Sequence, residues 1–212
     1  MTPDGYAHRV LWRAFPRDID APDAAPFSPR SVTTPRFQNF GRFDQRGRPP
    51  VLYLAESPAH ATTEILRRRL QSAARAAADR HRITDADLVE SGHRRAPVSV
   101  RIRPFVADRL PDTSEGRVLD RPGIRADQLS LNSYRTSQAA ARQIYEHSDE
   151  VPGFVWSSRF GGDWHVVLVL DRASLADLEN GSPERLHLAH PAVIEAAEVL
   201  NVEIASGRGS GR

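Results

Sequence analysis

The chain has 212 residues, 40% apolar and 26% charged, the make-up of a globular protein able to bury a core rather than of a disordered or fibrous one. No apolar run approaches the roughly 18 residues of a membrane span, no cysteine is present for a disulfide or a thiolate metal site, and a net charge of +2 is too small to argue for a nucleic-acid partner. All 29 basic residues are arginine, the better fork for phosphate, although GC-rich coding explains the missing lysine more simply.

Residues 1–15 hold no continuous apolar stretch, so no secretory leader is expected, and with the lack of cysteine this fits a cytoplasmic protein. Residues 9–15 (RVLWRAF) read as a first strand, and 16–40, rich in Pro, Asp and Ser, as a long loop. Residues 40–50 form a second loop with a Gly-containing turn that carries Arg42. Residues 51–55 (VLYLA) are a strand in which Val51, Tyr53 and Ala55 share one face and Leu52 and Leu54 the other.

The strand stops at Glu56-Ser57-Pro58. Serine caps a helix and proline suits its first position, so a helix is expected from Ala59 to about Asp79. On a helical wheel Ala61, Ile65, Leu66 and Leu70 share one half, and Glu64 lies on the polar side with Arg67 and Arg68.

Residues 80–95 are polar and read as irregular. Residues 97–105 alternate as a half-buried strand, and 111–128 read as a long exposed loop. Residues 133–147 are a helix. Residues 153–160 and 164–171 form a hairpin across Gly161-Gly162-Asp163, and its second strand, apolar on both faces, belongs in the middle of a sheet. A last helix covers 191–200, and 206–212 read as a frayed tail. No internal repeat is present. The expected architecture is α/β (α+β), one compact domain over 1–205 with a mixed central sheet.

Arg42, Tyr53 and Glu64 are spaced 11 residues apart on a turn, a strand and a helix. An arginine grips phosphate through two parallel hydrogen bonds. A tyrosine offers a flat face to an aromatic or cationic ring. A carboxylate stabilises positive charge. NAD⁺ carries a nicotinamide that is already cationic and leaves neutral, so one carboxylate suffices where an ordinary glycosidase needs two. The same residues also have plain structural readings: Glu64 with Arg68 as an i, i+4 surface pair, Arg42 with Asp44, and Tyr53 as a packed strand tyrosine. Phe154, Trp156 and Ser158 share one face of the hairpin strand, with Ser157 on the other, so a serine there could line a cleft.

The segments LWRAF, GRFD (41–44), LYLAESPAHATTEI (52–65), YRTSQAAARQI (134–144) and GFVWSSRF…VVLVL (153–170) occur in the order seen in RES-domain proteins, which the chain resembles from about Leu11 to Asp171. That family is named for an arginine, a glutamate and a serine, which look like Arg42, Glu64 and Ser158, with Tyr53 as the accompanying tyrosine. Trp156 stands where a tyrosine is common, Asp44 where asparagine is frequent, and the adjacent Ser157 leaves the serine open. The resemblance implies a fold similar to ADP-ribosyltransferases and a toxin of a bacterial toxin–antitoxin pair. NAD⁺ is then the substrate, with no cofactor or metal, cleaved by water or phosphate or used to modify a protein. Arg13 and Trp156 join the substrate-binding residues by the same analogy. The implied partner is a helix-turn-helix antitoxin that occludes the cleft, and Arg42, Arg121, Arg125 and Arg159 would suit an acidic or C-terminal carboxylate anchor from it.

Two other readings remain open. His60 and Glu64 sit four apart on one helix and could form an acid/base pair on a phosphodiester, as in a ribonuclease toxin. Arg67-Arg68-Arg69 could belong to an RNA-binding module. His187 and His190 lack a nearby third ligand and are weak evidence for zinc.

Overall fold

The ESP turn joins a strand to a helix with every local signal satisfied, and the rest of the fold is assembled around that junction. The computed structural model describes residues 10–16, 42–43, 51–72, 81–90, 92–102, 113, 124, 134–147, 153–158, 160, 164–170 and 178–205. In chain order the elements are β1 (Val10–Pro16), β2 (Val51–Ala55), α1 (Pro58–Leu70), β3 (Arg82–Ile83), a 3-10 turn (Asp85–Leu88), β4 (Val89–Glu90), β5 (His93–Ile102), α2 (Tyr134–His147), β6 (Gly153–Ser157), β7 (His165–Leu170), β8 (Leu178–Asn180), α3 (Pro191–Leu200) and β9 (Glu203–Ile204).

The main sheet has seven strands in the order β4-β5-β1-β2-β7-β6, with β8 also paired to β5. The α+β class is as expected. The sheet is antiparallel at every described ladder, and the parallel pairing is confined to the separate β3–β9 pair. β7 lies between β2 and β6, and Val166, Val167, Leu168 and Val169 are buried on both its faces. A strand covered on both sides has no polar face to alternate, which is why its sequence reads as an unbroken apolar run.

Register lines up Tyr53, Leu168 and Phe154 across three strands. On that face Val51, Val166, Leu168, Phe154 and Trp156 pack with Phe43, Ile124 and the Ala140, Ala141 and Ile144 face of α2. Leu52, Leu54, Val155, Val167 and Val169 are buried on the opposite face. A second core joins Leu66 of α1 to Ala192, Val193, Ala196 and Ala197 of α3, with Ile83, Leu88 and Leu186. Each buried Leu, Val, Ile or Phe side chain contributes about 1.5–3 kcal/mol, so the first core holds α2 on the sheet and the second holds α1 against α3.

Several expectations are corrected. α1 ends at Leu70, where the N–H groups of Gln71 and Ser72 donate to the carbonyls of Arg67 and Arg69 at 3.0 and 3.1 Å, rather than running on to about Asp79. Residues 73–80 lie outside the described set. Residues 80–95 are less irregular than their polarity suggested, since they hold β3, the 3-10 turn and β4. Asp87 caps that turn by accepting from both the N–H and the hydroxyl of Thr84, at 2.8 Å each. β5 begins at His93, four residues earlier than the alternation signals. Of the loop 111–128 only Thr113 and Ile124 are described, and both are buried. Thr113 donates its N–H and its hydroxyl to the Val155 carbonyl, at 3.0 and 2.7 Å, and so covers part of the β6 edge. Of the loop expected over 16–40, Pro16 instead ends β1 and residues 17–40 lie outside the described residues, as do Asp44, Arg121, Arg125, Arg159 and the tail 206–212.

Candidate active site

Ser57 begins α1 from extended backbone and its Oγ accepts the His60 N–H at 3.0 Å, with Pro58 next in line. Glu56, immediately before it, accepts the His165 N–H at 2.7 Å and lies 3.5 Å from His165 Nδ1. The acid of the ESP turn is therefore a structural clamp between the end of β2 and the start of β7. Thr62 and Thr63 are fully buried, and their hydroxyls donate to the carbonyls of Pro58 and Ala59, 2.8 Å each. This first half of α1 is enclosed on more sides than its apolar stripe indicates.

Glu64 comes next on the helix, with its side chain 37% exposed. Its Oε1 accepts the Ser158 hydroxyl at 3.0 Å. Ser158 follows β6 directly and is nearly buried; its N–H donates to the Trp164 carbonyl at 2.7 Å, and its Oγ accepts the Phe160 N–H at 3.3 Å. Ser157 instead pairs with His165 in the ladder. Of the two adjacent serines, Ser158 is the one that touches Glu64. Among the described residues the Glu64 side chain has no other hydrogen bond, and Oε2 is uncommitted.

A second set of contacts surrounds Arg42. The Phe43 N–H donates to the Tyr53 hydroxyl oxygen at 3.1 Å, and the Ser137 hydroxyl of α2 donates to the Arg42 carbonyl at 3.1 Å. The turn is thus pinned from the sheet and from the helix. The Arg42 guanidinium lies over the rings of Trp156 and Tyr134, 5.4 and 5.7 Å from their centroids, and the residue is only 7% exposed. Phe43 meets Phe154 and Trp156 edge-on at 5.2 and 5.4 Å and stacks at 6.4 Å on Tyr53. The ring faces attract the guanidinium through their negative quadrupole and help to hold it in place.

β6 connects the two sets. Trp156 touches Arg42, and Ser158, two residues on, touches Glu64. Arg42, Tyr53, Trp156, Glu64 and Ser158 are therefore gathered around one strand. Arg13 is placed differently: Trp12 pairs with Ala55, in phase with Tyr53, so Arg13 points with Leu11 and Phe15 to the other face of the sheet. Its guanidinium lies 5.4 Å from the Phe15 ring, and burial lowers it to about 10, still charged at neutral pH.

His60 is wholly buried, with its ring stacked on Trp164 at 4.6 Å, and a side chain with no exposed surface cannot meet a phosphodiester. The ribonuclease reading loses its acid/base partner on that ground. Of the arginine run, Arg69 donates to the Val89 carbonyl at 2.6 Å and Arg67 lies over Phe160 at 4.6 Å, so it is not a free basic stripe. Of the two histidines of HLAH, His190 caps α3: its Nδ1 accepts the Ala192 N–H at 3.1 Å and its Nε2 lies 3.3 Å from Glu184, while the His187 ring meets the His190 ring edge-on at 5.6 Å. Among the described residues no group of three His, Asp or Glu is placed to hold a metal ion.

Nothing in the sequence signals Tyr134 over Arg42 or Trp164 on His60. Both contacts join segments remote in the chain, and an aromatic residue in a helix or beside a turn is too common to signal them. A surface depression of about 680 Å³ between α3 and β9, lined by Arg82, Ile194, Ala197, Glu198, Val202 and Ile204, contains none of the site residues.

The family described as RES domain matches residues 10–189. Among solved structures, the M. tuberculosis MbcT–MbcA toxin–antitoxin complex contains a chain with the same fold, at a TM-score of 0.58 and 16% identity, covering 92% of this chain and 90% of that one. No curated protein matches.

Proposed function

The chain belongs to the RES-domain family, and from that premise we propose that it is the toxin of a toxin–antitoxin pair and consumes NAD⁺ by breaking the bond between nicotinamide and ribose. The observation that carries this reading is the Ser158–Glu64 contact of 3.0 Å, which holds one carboxylate oxygen and leaves the other uncommitted among the described residues.

The chemistry needs little else. The electron pair of the ribose–nitrogen bond goes to the nicotinamide ring, which leaves neutral and requires no proton. Positive charge develops on the ribose carbon and its ring oxygen, and the Glu64 carboxylate stabilises it. Tyr53 and Trp156 offer ring faces to a cationic or aromatic group, and Arg42 supplies a fixed positive charge beside them for the phosphates. Attack by water gives ADP-ribose and one proton. Attack by phosphate gives ADP-ribose 1″-phosphate. Transfer to a protein side chain is the third outcome of the same bond cleavage.

The partner in this reading is an antitoxin of the helix-turn-helix type that covers the site, in a hetero-oligomer, and the setting is the cytoplasm. The solved relative supports the partner by being a toxin–antitoxin complex. The deciding experiment is incubation of the purified protein with NAD⁺, with and without phosphate, followed by identification of products. Release of nicotinamide with a matching ADP-ribosyl product is expected, and intact NAD⁺ after prolonged incubation with folded protein overturns the reading.

A further inference from the structure

His60 is an ionisable group beside Glu64 to which the chemistry above gives no task. It lies one helical turn before Glu64 on α1 and has no exposed surface. Its backbone N–H is held by Ser57, and its ring lies against Trp164 with 26° between planes. Neither ring nitrogen has a hydrogen bond among the described residues. The carboxylate that Nε2 faces is Glu64, with Oε1 at 3.6 Å, the same oxygen that accepts from Ser158. Buried polar groups are hydrogen-bonded as a rule, and contacts in a free enzyme are often long and tighten in the substrate complex.

We propose that His60 is the positioning residue for Glu64: its Nε2–H closes on Oε1 in the substrate complex, and together with Ser158 it aims Oε2 at the ribose. A glutamate side chain has three rotatable bonds and is held by one donor only loosely. Two donors from different elements, one on α1 and one after β6, fix the carboxylate plane. The neutral imidazole is sufficient, because the bond needs only a proton on Nε2. Trp164 keeps the ring from turning away. This role rests on the NAD⁺ reading above.

The test uses His60→Phe, which keeps a ring against Trp164 and removes the donor, and His60→Gln, which restores an N–H. With NAD⁺ as substrate, His60→Phe is expected to lower kcat on the order of 10²-fold while KM and the melting temperature stay near wild type, and His60→Gln to recover part of the loss. A wild-type kcat in folded His60→Phe overturns the proposal, and so do equal losses in both variants with a raised KM, which is the mark of a core residue. A second arm does not depend on turnover or on the Phe variant folding. The imidazole ¹⁵N resonances of His60 are expected to move on Glu64→Gln, and unmoved resonances overturn the coupling. If wild-type protein leaves NAD⁺ intact, the NAD⁺ reading has failed, and this arm still judges the contact.

Discussion

Ser158 and Glu64 lie 94 residues apart in the chain and meet at 3.0 Å, one just past the end of β6 and the other in the first two turns of the helix that follows β2. The contact joins the hairpin to α1 and sets which carboxylate oxygen is left for a ligand. Glu64→Gln removes the charge and keeps the shape, so NAD⁺ consumption is expected to fall on the order of 10²-fold or more with an unchanged melting curve. Ser158→Ala frees Oε1 and is expected to cost less. Wild-type turnover in purified Glu64→Gln would make Glu64 a surface residue only.

The hydroxyl of Tyr53 holds the Phe43 N–H, and Phe43 is buried. Tyr53→Phe leaves that donor without its acceptor, at a cost of about 1–3 kcal/mol, and loosens the turn that carries Arg42. Denaturant unfolding should show the loss. NAD⁺ binding, measured by calorimetry in a Glu64→Gln background, should weaken in Tyr53→Phe, and again in Arg42→Lys, which keeps the charge but loses the fork.

Ser57→Ala removes the acceptor for the His60 N–H at the start of α1. A lost cap costs about 1 kcal/mol of stability. The same change frees the turn of helix that leads into Glu64, so kcat should fall along with the melting temperature. A variant that loses stability but keeps kcat would show that the cap and the carboxylate are uncoupled.

Arg94 donates two hydrogen bonds to Asp85, both 2.9 Å, and these hold the Asp85 carboxyl below its ordinary value of 3.8. A carboxyl depressed in the folded state adds stability above its unfolded value, and that stability is lost as pH falls through the folded value. The pair is largely exposed, with 60% of the Asp85 side chain accessible, so its contribution is at most about 1 kcal/mol. Unfolding measured between neutral pH and strong acid should show a slightly shallower acid loss in Asp85→Asn.

Expression of the protein alone is expected to slow growth and lower cellular NAD⁺, and co-expression with its antitoxin to restore both. Normal growth with undiminished NAD⁺, from folded and abundant protein, would count against the toxin reading.

The sequence by itself determined what depends on near neighbours. The period-2 pattern of Val51–Ala55, the Ser57-Pro58 start of α1, the hairpin and the central place of β7 follow from backbone preference and from which faces are apolar, and those preferences act within a few residues. The spacing of Arg42, Tyr53 and Glu64 drew attention to the three residues, and the RES resemblance suggested that they share a cleft. Only the tertiary structure decided what each of them touches. It chose Ser158 over Ser157, sent Arg13 to the far face, enclosed Arg42 between Trp156 and Tyr134, and buried His60 under Trp164. It also ended α1 at Leu70 and placed Thr113 against the edge of β6. Apart from the end of α1, each of these depends on segments distant in the chain, which come together only after sheet order and register are set, and no local pattern encodes that.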